Sequence, residues 1–224
     1  MNKLELLYKV VKEIKSKTEF NAIINANIIR NNEDILLMEN EVYKNCEAKQ
    51  ATAQISGFFV SEAGKINVAE NVNLWDLKSK KKAYMMEMKS KMENSEDGQK
   101  FKHNCKLSKM MFGLKVLNEL ELSKEDDFNV LTLDMAVIKN IIEEKMANKK
   151  CKCDPEKKLA IMSEMGIPKE LIALHFFAMK ELHSGFDIAE AKVYVDANNM
   201  INKIVVAGKS SSNTDTFKIQ ITSK

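Results

Sequence analysis

The sequence predicts an α+β protein built on one large, curved antiparallel sheet, a half-barrel, with helices added to it. Residues 18–30 alternate apolar and polar side chains with a period of two, which is typical of a strand with one buried face. Further segments with this alternation follow, separated by short turns, and this arrangement favours an antiparallel meander. Between residues 134 and 185 the period becomes helical, and the chain ends in strands again.

The length fits one large domain or two small ones, and a single domain over residues 1–224 is predicted because the helices of 134–185 resemble an insertion between sheet strands. The chain is 45% hydrophobic and 30% charged, which is ordinary for a globular protein that can bury a sizeable core. The predicted parts are an N-terminal helix at 3–17, a sheet over 18–133, a helical insertion at 134–185 and closing strands within 191–222.

The first helix is predicted from an apolar stripe with helical spacing. Leu4, Leu7, Tyr8, Val11 and Ile14 fall on one side of a helix, which indicates that the helix lies on the sheet. A membrane-surface helix is the alternative, although two acidic residues dilute its basic side.

Strands are predicted at 18–30, 35–43, 50–62 and 66–77, with turns at 31–34, 63–65 and 78–82. A strand at 83–92 is predicted to carry Tyr84, Met86, Met88 and Met92 on one face. Later strands are predicted at 100–108, 128–133, 191–195, 200–207 and 216–222.

Three helices are predicted in the insertion. The first covers 134–148, the second begins at Asp154-Pro155 and ends at Gly166, and the third runs from Pro168 to Gly185. Because the third is apolar on almost every side, it is predicted to be deeply buried or to cover a hydrophobic cavity.

That apolar helix gives the predicted ligand site. Its surplus apolar side chains are expected to line a cavity together with large residues of the inner sheet, since methionine and phenylalanine suit varied apolar partners. Ordinary core packing is the alternative for each of them. The predicted ligand-binding residues are Phe59, Met86, Met88, Phe176, Phe177 and Met179.

No catalytic signature is present, so the sequence predicts a protein that is not an enzyme and needs no cofactor. There is no glycine-rich phosphate loop and no H-E-x-x-H motif. His175 and His183 are interpreted as structural. Residues 162–172 resemble the turn of a helix-turn-helix, but their second helix is too apolar to read a DNA groove.

The cysteines allow two interpretations. His103, Cys105, Cys151 and Cys153 could together ligate zinc, but the expectation is no metal, because alternation places His103 and Cys105 on an apolar strand face. An exported chain could instead form a disulfide with Cys151 or Cys153. The disulfide status of Cys46 is equally open.

A lysine-rich surface supports an alternative function, binding of nucleic acid or an acidic protein partner in the cytoplasm. It comprises Lys78, Lys80, Lys81, Lys82, Lys100, Lys102 and Lys106. Arg30 is the only arginine, and bidentate recognition of guanine or phosphate favours arginine. Any DNA binding is therefore predicted to be weak and without sequence preference, and a solvated sheet edge is the plainer interpretation.

The sequence contains no apolar run of the roughly 20 residues that a membrane span needs. Charges within the first 17 residues exclude a signal-peptide core at that place. Two locations are thus expected: the cell envelope or exterior if a leader was removed, and otherwise the cytoplasm.

Two short motifs and the order of elements resemble a known fold. Trp75-Asp76-Leu77 precedes a lysine-rich turn, and Val193-Tyr194-Val195-Asp196 begins the closing strands. The chain in this respect resembles the half-barrel fold of the lipoprotein carrier LolA and the LppX-type lipoproteins. The resemblance implies an envelope protein that holds a lipid or acyl chain in a concave sheet and performs no chemistry.

Overall fold

The computed structural model describes residues 2–93, 116–137, 155–184, 186, 188–212 and 214–224. The described strands form one open, curved antiparallel sheet, as the sequence predicts. Its strands are β1 (Glu19–Arg30), β2 (Glu33–Asn45), β3 (Gln50–Ser61), β4 (Gly64–Asn73), β5 (Glu121–Glu125), β6 (Phe128–Asp134), β7 (Ile188–Val195), β8 (Ile201–Lys209) and β9 (Thr216–Ser223). Their order across the sheet is β4-β3-β2-β1-β9-β8-β7-β6-β5.

The helices are α1 (Lys3–Ser16), α2 (Leu74–Glu93), α3 (Pro155–Glu164) and α4 (Lys169–Ser184). The helices α1, α2 and α4 pack on one face of the sheet, which we call the inner face, and α3 contacts α4. The predicted N-terminal helix is confirmed to within a residue at its C-terminal end, but the side that it turns to the sheet is not the predicted one. Leu6 and Val10 are buried against the sheet with Leu7 packed beside them, whereas Leu4, Tyr8, Val11 and Ile14 are exposed. The N-cap of α1 is Asn2, whose side-chain oxygen accepts a hydrogen bond from the backbone N–H of Glu5 at 2.9 Å.

Strand register aligns the apolar residues of neighbouring strands into the inner face. Ile28 lies opposite Leu36 on one side and Phe217 on the other, and Leu36 lies opposite Phe59. All four are buried. The apolar side of α4 covers this part of the sheet, while α1 covers a second part near β6 and β7. The inner face therefore has two packed regions.

The turns between the first strands form where the sequence predicts them. Asn31 and Asn32 both adopt positive φ angles, of 51° and 66°, which asparagine tolerates better than most residues. Gly64 turns the chain between β3 and β4 with a φ angle of 112°. These turns make β1 to β4 a continuous meander.

The structure corrects the prediction for residues 66–93. The fourth strand ends at Asn73 and not at Leu77, and the predicted turn at 78–82 and strand at 83–92 both lie in α2. Asn73 caps this helix, since its Oδ1 atom accepts hydrogen bonds from the N–H groups of Trp75 and Asp76 at 3.0 and 3.1 Å. Lysine, methionine, glutamate and alanine favour a helix here, and they outweigh a short two-residue alternation.

The second half of the chain agrees with the prediction at its strands and adds one. The strand β5 was not predicted, because ELSKE contains no run of strand-forming residues. Residues between β6 and β7 include α3 and α4, and β6 pairs directly with β7, so these helices are inserted between neighbouring strands. The predicted strand at 100–108 and the predicted helix beyond residue 137 lie outside the described residues.

Arg30 connects the sheet to α4. Its guanidinium group forms an ion pair with Glu181, a carboxylate that is only 6% exposed, and a second one with Asp215 at 3.4 Å. Asp215 lies in the loop before β9. The single arginine of the chain thus has a structural role, joining β1, α4 and this loop.

We expect Arg30→Gln to lower the free energy of unfolding by about 2 kcal/mol, because Glu181 then stays buried without its cation. The expected cost is below that of a fully buried pair because the Arg30 side chain is 42% exposed. Urea unfolding gives the value. The matched control is Lys180→Gln, which breaks the exposed pair with Glu62 and should cost less than about 0.5 kcal/mol. Equal costs for the two variants would contradict a buried role for Glu181.

Candidate functional site

A cavity of about 530 Å³ lies on the inner face, between the C-terminal end of α1 and the N-terminal end of α2. It lies over the ends of β1, β2, β3, β8 and β9. Most of its lining is apolar, and the exposed side chains of Ile14 and Phe20 place its mouth at the surface. The lining residues are Ile14, Lys17, Thr18, Glu19, Phe20, Val42, Lys44, Cys46, Ala51, Leu74, Trp75, Lys78, Met200, Ile201, Ile204, Ile221 and Ser223.

The helix α2 contributes the largest side chain of the lining. The Asn73 cap starts the helix at Leu74, so Leu74 and Trp75 lie in its first turn, beside the end of β4. Lys78 is on the next turn, with its Nζ atom 5.0 Å from the centre of the Trp75 ring. This cation–π contact holds an aromatic surface toward the cavity and a positive charge at its edge.

A tight turn between β7 and β8 places two more apolar residues in the lining. The carboxylate of Asp196 accepts hydrogen bonds from the N–H groups of Asn198 and Met200, at 2.9 and 2.8 Å. The N–H of Asp196 in turn donates to the carbonyl of Met200 at 3.0 Å. These bonds fix the turn and therefore the positions of Met200 and Ile201, which is consistent with an Asx turn.

The charged residues of the lining carry more positive than negative charge. Lys17, Lys44 and Lys78 are the basic members, and Glu19 is the acidic one. Glu19 accepts a hydrogen bond from the hydroxyl group of Tyr43 at 2.7 Å, and this bond raises the pKa of Tyr43 above its usual value. The site therefore combines an apolar interior with a basic surrounding, an arrangement suited to binding rather than to proton transfer.

Five of the six predicted ligand residues lie away from this cavity. Phe59 is almost completely buried, and its ring centre lies 5.1 Å from that of Phe177 in the core under α4. Met179 and Met86 are exposed on α4 and α2. Phe176 is partly buried beside His175, with ring centres 5.6 Å apart. The side chain of Met88 lies outside the described residues.

Only some residues of the predicted metal site and of the lysine-rich surface lie in the described part of the chain. His103, Cys105, Cys151, Cys153 and the lysines at 100, 102 and 106 lie outside the described residues. Within the described part of the chain, no three His, Cys, Asp or Glu side chains are grouped so that they could hold a metal ion. Cys46 has a free thiol. The lysines at 78–82 lie on α2 and not at a strand turn, and the amine of Lys80 donates to the carbonyl of Met165 at 3.2 Å.

Two wider grooves are more polar. One, of about 580 Å³, lies on the outer face and is lined by residues such as Asn25, Asn27 and Glu39. The other, of about 900 Å³, includes Glu119 and Asp134 in its lining, together with further acidic and basic side chains. The cavity beside Trp75 is therefore the best candidate for an apolar ligand among the three.

Comparison of the chain with known protein families and with curated proteins gave no match. In the described part of the chain, none of the helices combines the length and the hydrophobicity that crossing a bilayer requires.

Proposed function

We propose that this protein is a non-catalytic binding protein that holds an apolar ligand, such as a lipid acyl chain, in the cavity beside Trp75. The observation that carries the proposal is the lining itself, in which Phe20, Val42, Ile204 and Ile221 form an apolar inner-sheet surface under Trp75. A volume of about 530 Å³ is within the range of roughly 300–1,000 Å³ that small-molecule sites occupy. The order of elements, which resembles that of the LolA and LppX half-barrels, supports the same proposal, whereas the motif Trp75-Asp76-Leu77 gives no support because it lies in α2 and not before a turn.

The proposed ligand enters from the surface near Ile14 and Phe20, where the lining is exposed. Its apolar part lies along the sheet toward Met200 and Ile204, which are only partly exposed. Each methylene group removed from water contributes about 0.8 kcal/mol, so a few carbons in this cavity are enough for measurable affinity. An envelope location belongs to this proposal, and it rests on the resemblance.

A cavity-filling variant tests the proposal. Ala51 lies on the inner face at the start of β3 and lines the cavity, so Ala51→Leu places additional carbon atoms in the space that the ligand occupies. We expect this variant to bind a fluorescent fatty acid about tenfold more weakly, which corresponds to about 1.4 kcal/mol. Its stability should change by less than about 1 kcal/mol, because overpacking is costly only where no space exists.

The matched control is Val60→Phe, which enlarges an exposed side chain of the same strand outside the cavity lining. It should bind the fluorescent fatty acid as the wild type does. The proposal fails if the wild type shows no saturable binding. It also fails if Ala51→Leu and Val60→Phe leave the affinity equally unchanged.

A further inference from the structure

The helix α1 exposes a continuous apolar stripe. Leu4, Tyr8, Val11 and Ile14 are 61%, 72%, 46% and 51% exposed, and their spacing of three and four residues aligns them on one side of the helix. Among the residues that the structure describes, the other large apolar side chains that are exposed each lie on a different helix or strand; they are Phe20, Leu37, Val60, Met86, Leu159 and Met179. Scattered apolar residues are normal on a protein surface, whereas a contiguous stripe marks an interaction site.

The stripe is held in place by the opposite side of the same helix. Leu6 and Val10 are buried against a cluster that includes Leu131 and Val195. In addition, the amine of Lys3 donates to the carbonyls of Asn118 and Leu120, at 3.1 Å each. The orientation of α1 on the sheet is therefore fixed, and the stripe faces outward.

The stripe leads directly to the candidate cavity. Ile14 is its last member and also lines the cavity, and Phe20, which is 43% exposed, lines the cavity mouth next to it. An apolar surface therefore extends along α1 from Leu4 to the entrance of the proposed ligand site. The helix and the cavity lie on the same face of the sheet.

Basic residues accompany this surface. Lys12 and Lys15 follow Tyr8 and Val11 by four residues and so lie on the same side of the helix. Lys17, Lys44 and Lys78 surround the cavity mouth. The nearby acidic groups are mostly engaged, because Glu5 pairs with Lys9 at 2.9 Å and Glu19 accepts from the Tyr43 hydroxyl. Glu13 lies toward the buried side of the helix by its spacing from Leu6 and Val10.

We propose that this surface, Leu4 to Ile14 on α1 with the lysines beside it, docks on an anionic lipid bilayer. The helix then lies in the membrane–water interface. Leu4, Tyr8 and Val11 enter the boundary between the lipid headgroups and the acyl chains, and the lysines contact lipid phosphates. The bilayer fits better than a second copy of the chain, because a stable protein interface uses roughly 20–30 residues a side and this stripe offers few. The inference goes beyond the proposed ligand binding and is tested without any ligand.

Co-sedimentation with vesicles provides the test. We expect the wild type to bind vesicles of phosphatidylcholine mixed with phosphatidylglycerol and to bind pure phosphatidylcholine far less. Leu4→Gln combined with Tyr8→Gln should weaken binding by about tenfold or more, because two of the most exposed apolar side chains are removed. The matched control, Met86→Gln combined with Leu159→Gln, removes two exposed apolar residues from other helices and should bind as the wild type does.

A second pair of variants examines the charges. Lys12→Gln combined with Lys15→Gln should weaken binding to the anionic vesicles by about tenfold and leave the unfolding midpoint unchanged, since each lysine near such a surface attracts it. Three outcomes overturn the proposal. They are absence of wild-type binding, equal binding by the stripe variant and its control, and a wild-type dimer in light scattering that the stripe variant dissociates. Failure of the docking leaves the fatty-acid titration with Ala51→Leu unaffected, so the two proposals fail separately.

Discussion

Replacing Gly57 by alanine is expected to lower the free energy of unfolding by at least about 3 kcal/mol, the combined scale of overpacking and backbone strain. Gly57 lies within β3 and pairs with Met38 on β2. Its φ angle is 144°, a backbone conformation that residues with a side chain rarely adopt. A Cβ atom at this position would be 2.0 Å from the carbonyl oxygen of Leu37 and 2.8 Å from the Cα atom of Met38. Because both are backbone atoms, the neighbouring strands β2 and β3 would have to separate.

Gly64→Ala is the matched control for this prediction. Gly64 also has a positive φ angle, of 112°, but a Cβ atom there meets nothing within 4 Å. It should cost about 1 kcal/mol from backbone strain alone. Urea unfolding followed by circular dichroism measures both variants. If Gly57→Ala and Gly64→Ala lower the free energy of unfolding equally, the close contact between β2 and β3 is not the reason that position 57 requires glycine.

Phe59→Ala is expected to cost about 3–5 kcal/mol, because it leaves a large void in the core between the sheet and α4. Phe59 is 1% exposed and its ring contacts that of Phe177. The adjacent Phe58 is the control, since it lies on the outer face, where the amine of Lys65 is 3.6 Å from its ring centre. Phe58→Ala should cost clearly less than Phe59→Ala.

This measurement also tests the ligand site expected from sequence, which included Phe59 and Phe177. If Phe59→Ala instead costs little and weakens binding of a fluorescent fatty acid, these residues line a ligand space and the cavity beside Trp75 is not the main site. If it is strongly destabilising and the folded fraction still binds the probe, the two phenylalanines are core residues.

The sheet was predictable because its pattern depends on local alternation and on turn residues. In β1, every second residue from Ala22 to Ile28 faces inward, and the two asparagines that follow have the positive φ angles that their turn requires. Such features lie within a few residues of each other in the chain. Within each half of the sheet, the strand order follows from the pairing of successive strands, which holds for β1 to β4 and again for β5 to β9. The pairing of β1 with β9 joins the two halves, and local alternation does not reveal it.

The prediction failed at α2 for a physical reason. Tyr84, Met86 and Met88 follow a two-residue alternation, but this segment lacks the β-branched residues that stabilise strands. The sequence pattern predicts that Asn73 lies within a strand, whereas Asn73 ends β4 and caps the helix. The alternation predicts that Met86 lies on a buried strand face, but Met86 is exposed on α2.

The cavity beside Trp75 could not be predicted from sequence spacing. Its lining comes from two helices, five strands and the connecting turns. The strands β1 to β3 and the strands β8 and β9 come together only because β1 pairs with β9. The available signals were weak: Phe20 and Val42 extend the inner alternation to the strand ends, and Trp75 is the only tryptophan. Composition reveals that methionine and phenylalanine side chains are apolar, but it does not reveal which of them leave space between them in the folded chain.

The single tryptophan allows the most direct test of ligand binding in this cavity. Trp75 lines the site, so a fatty acid with a brominated acyl chain that enters the cavity brings bromine, a contact quencher, to the indole ring. The account predicts saturable quenching of the Trp75 emission by the brominated fatty acid. The same fatty acid without bromine should produce no quenching, and Ala51→Leu should shift the midpoint to higher concentration. Quenching that never saturates and equals that of a free tryptophan derivative in the same solution would show that no acyl chain occupies the cavity, and it would contradict the proposed function.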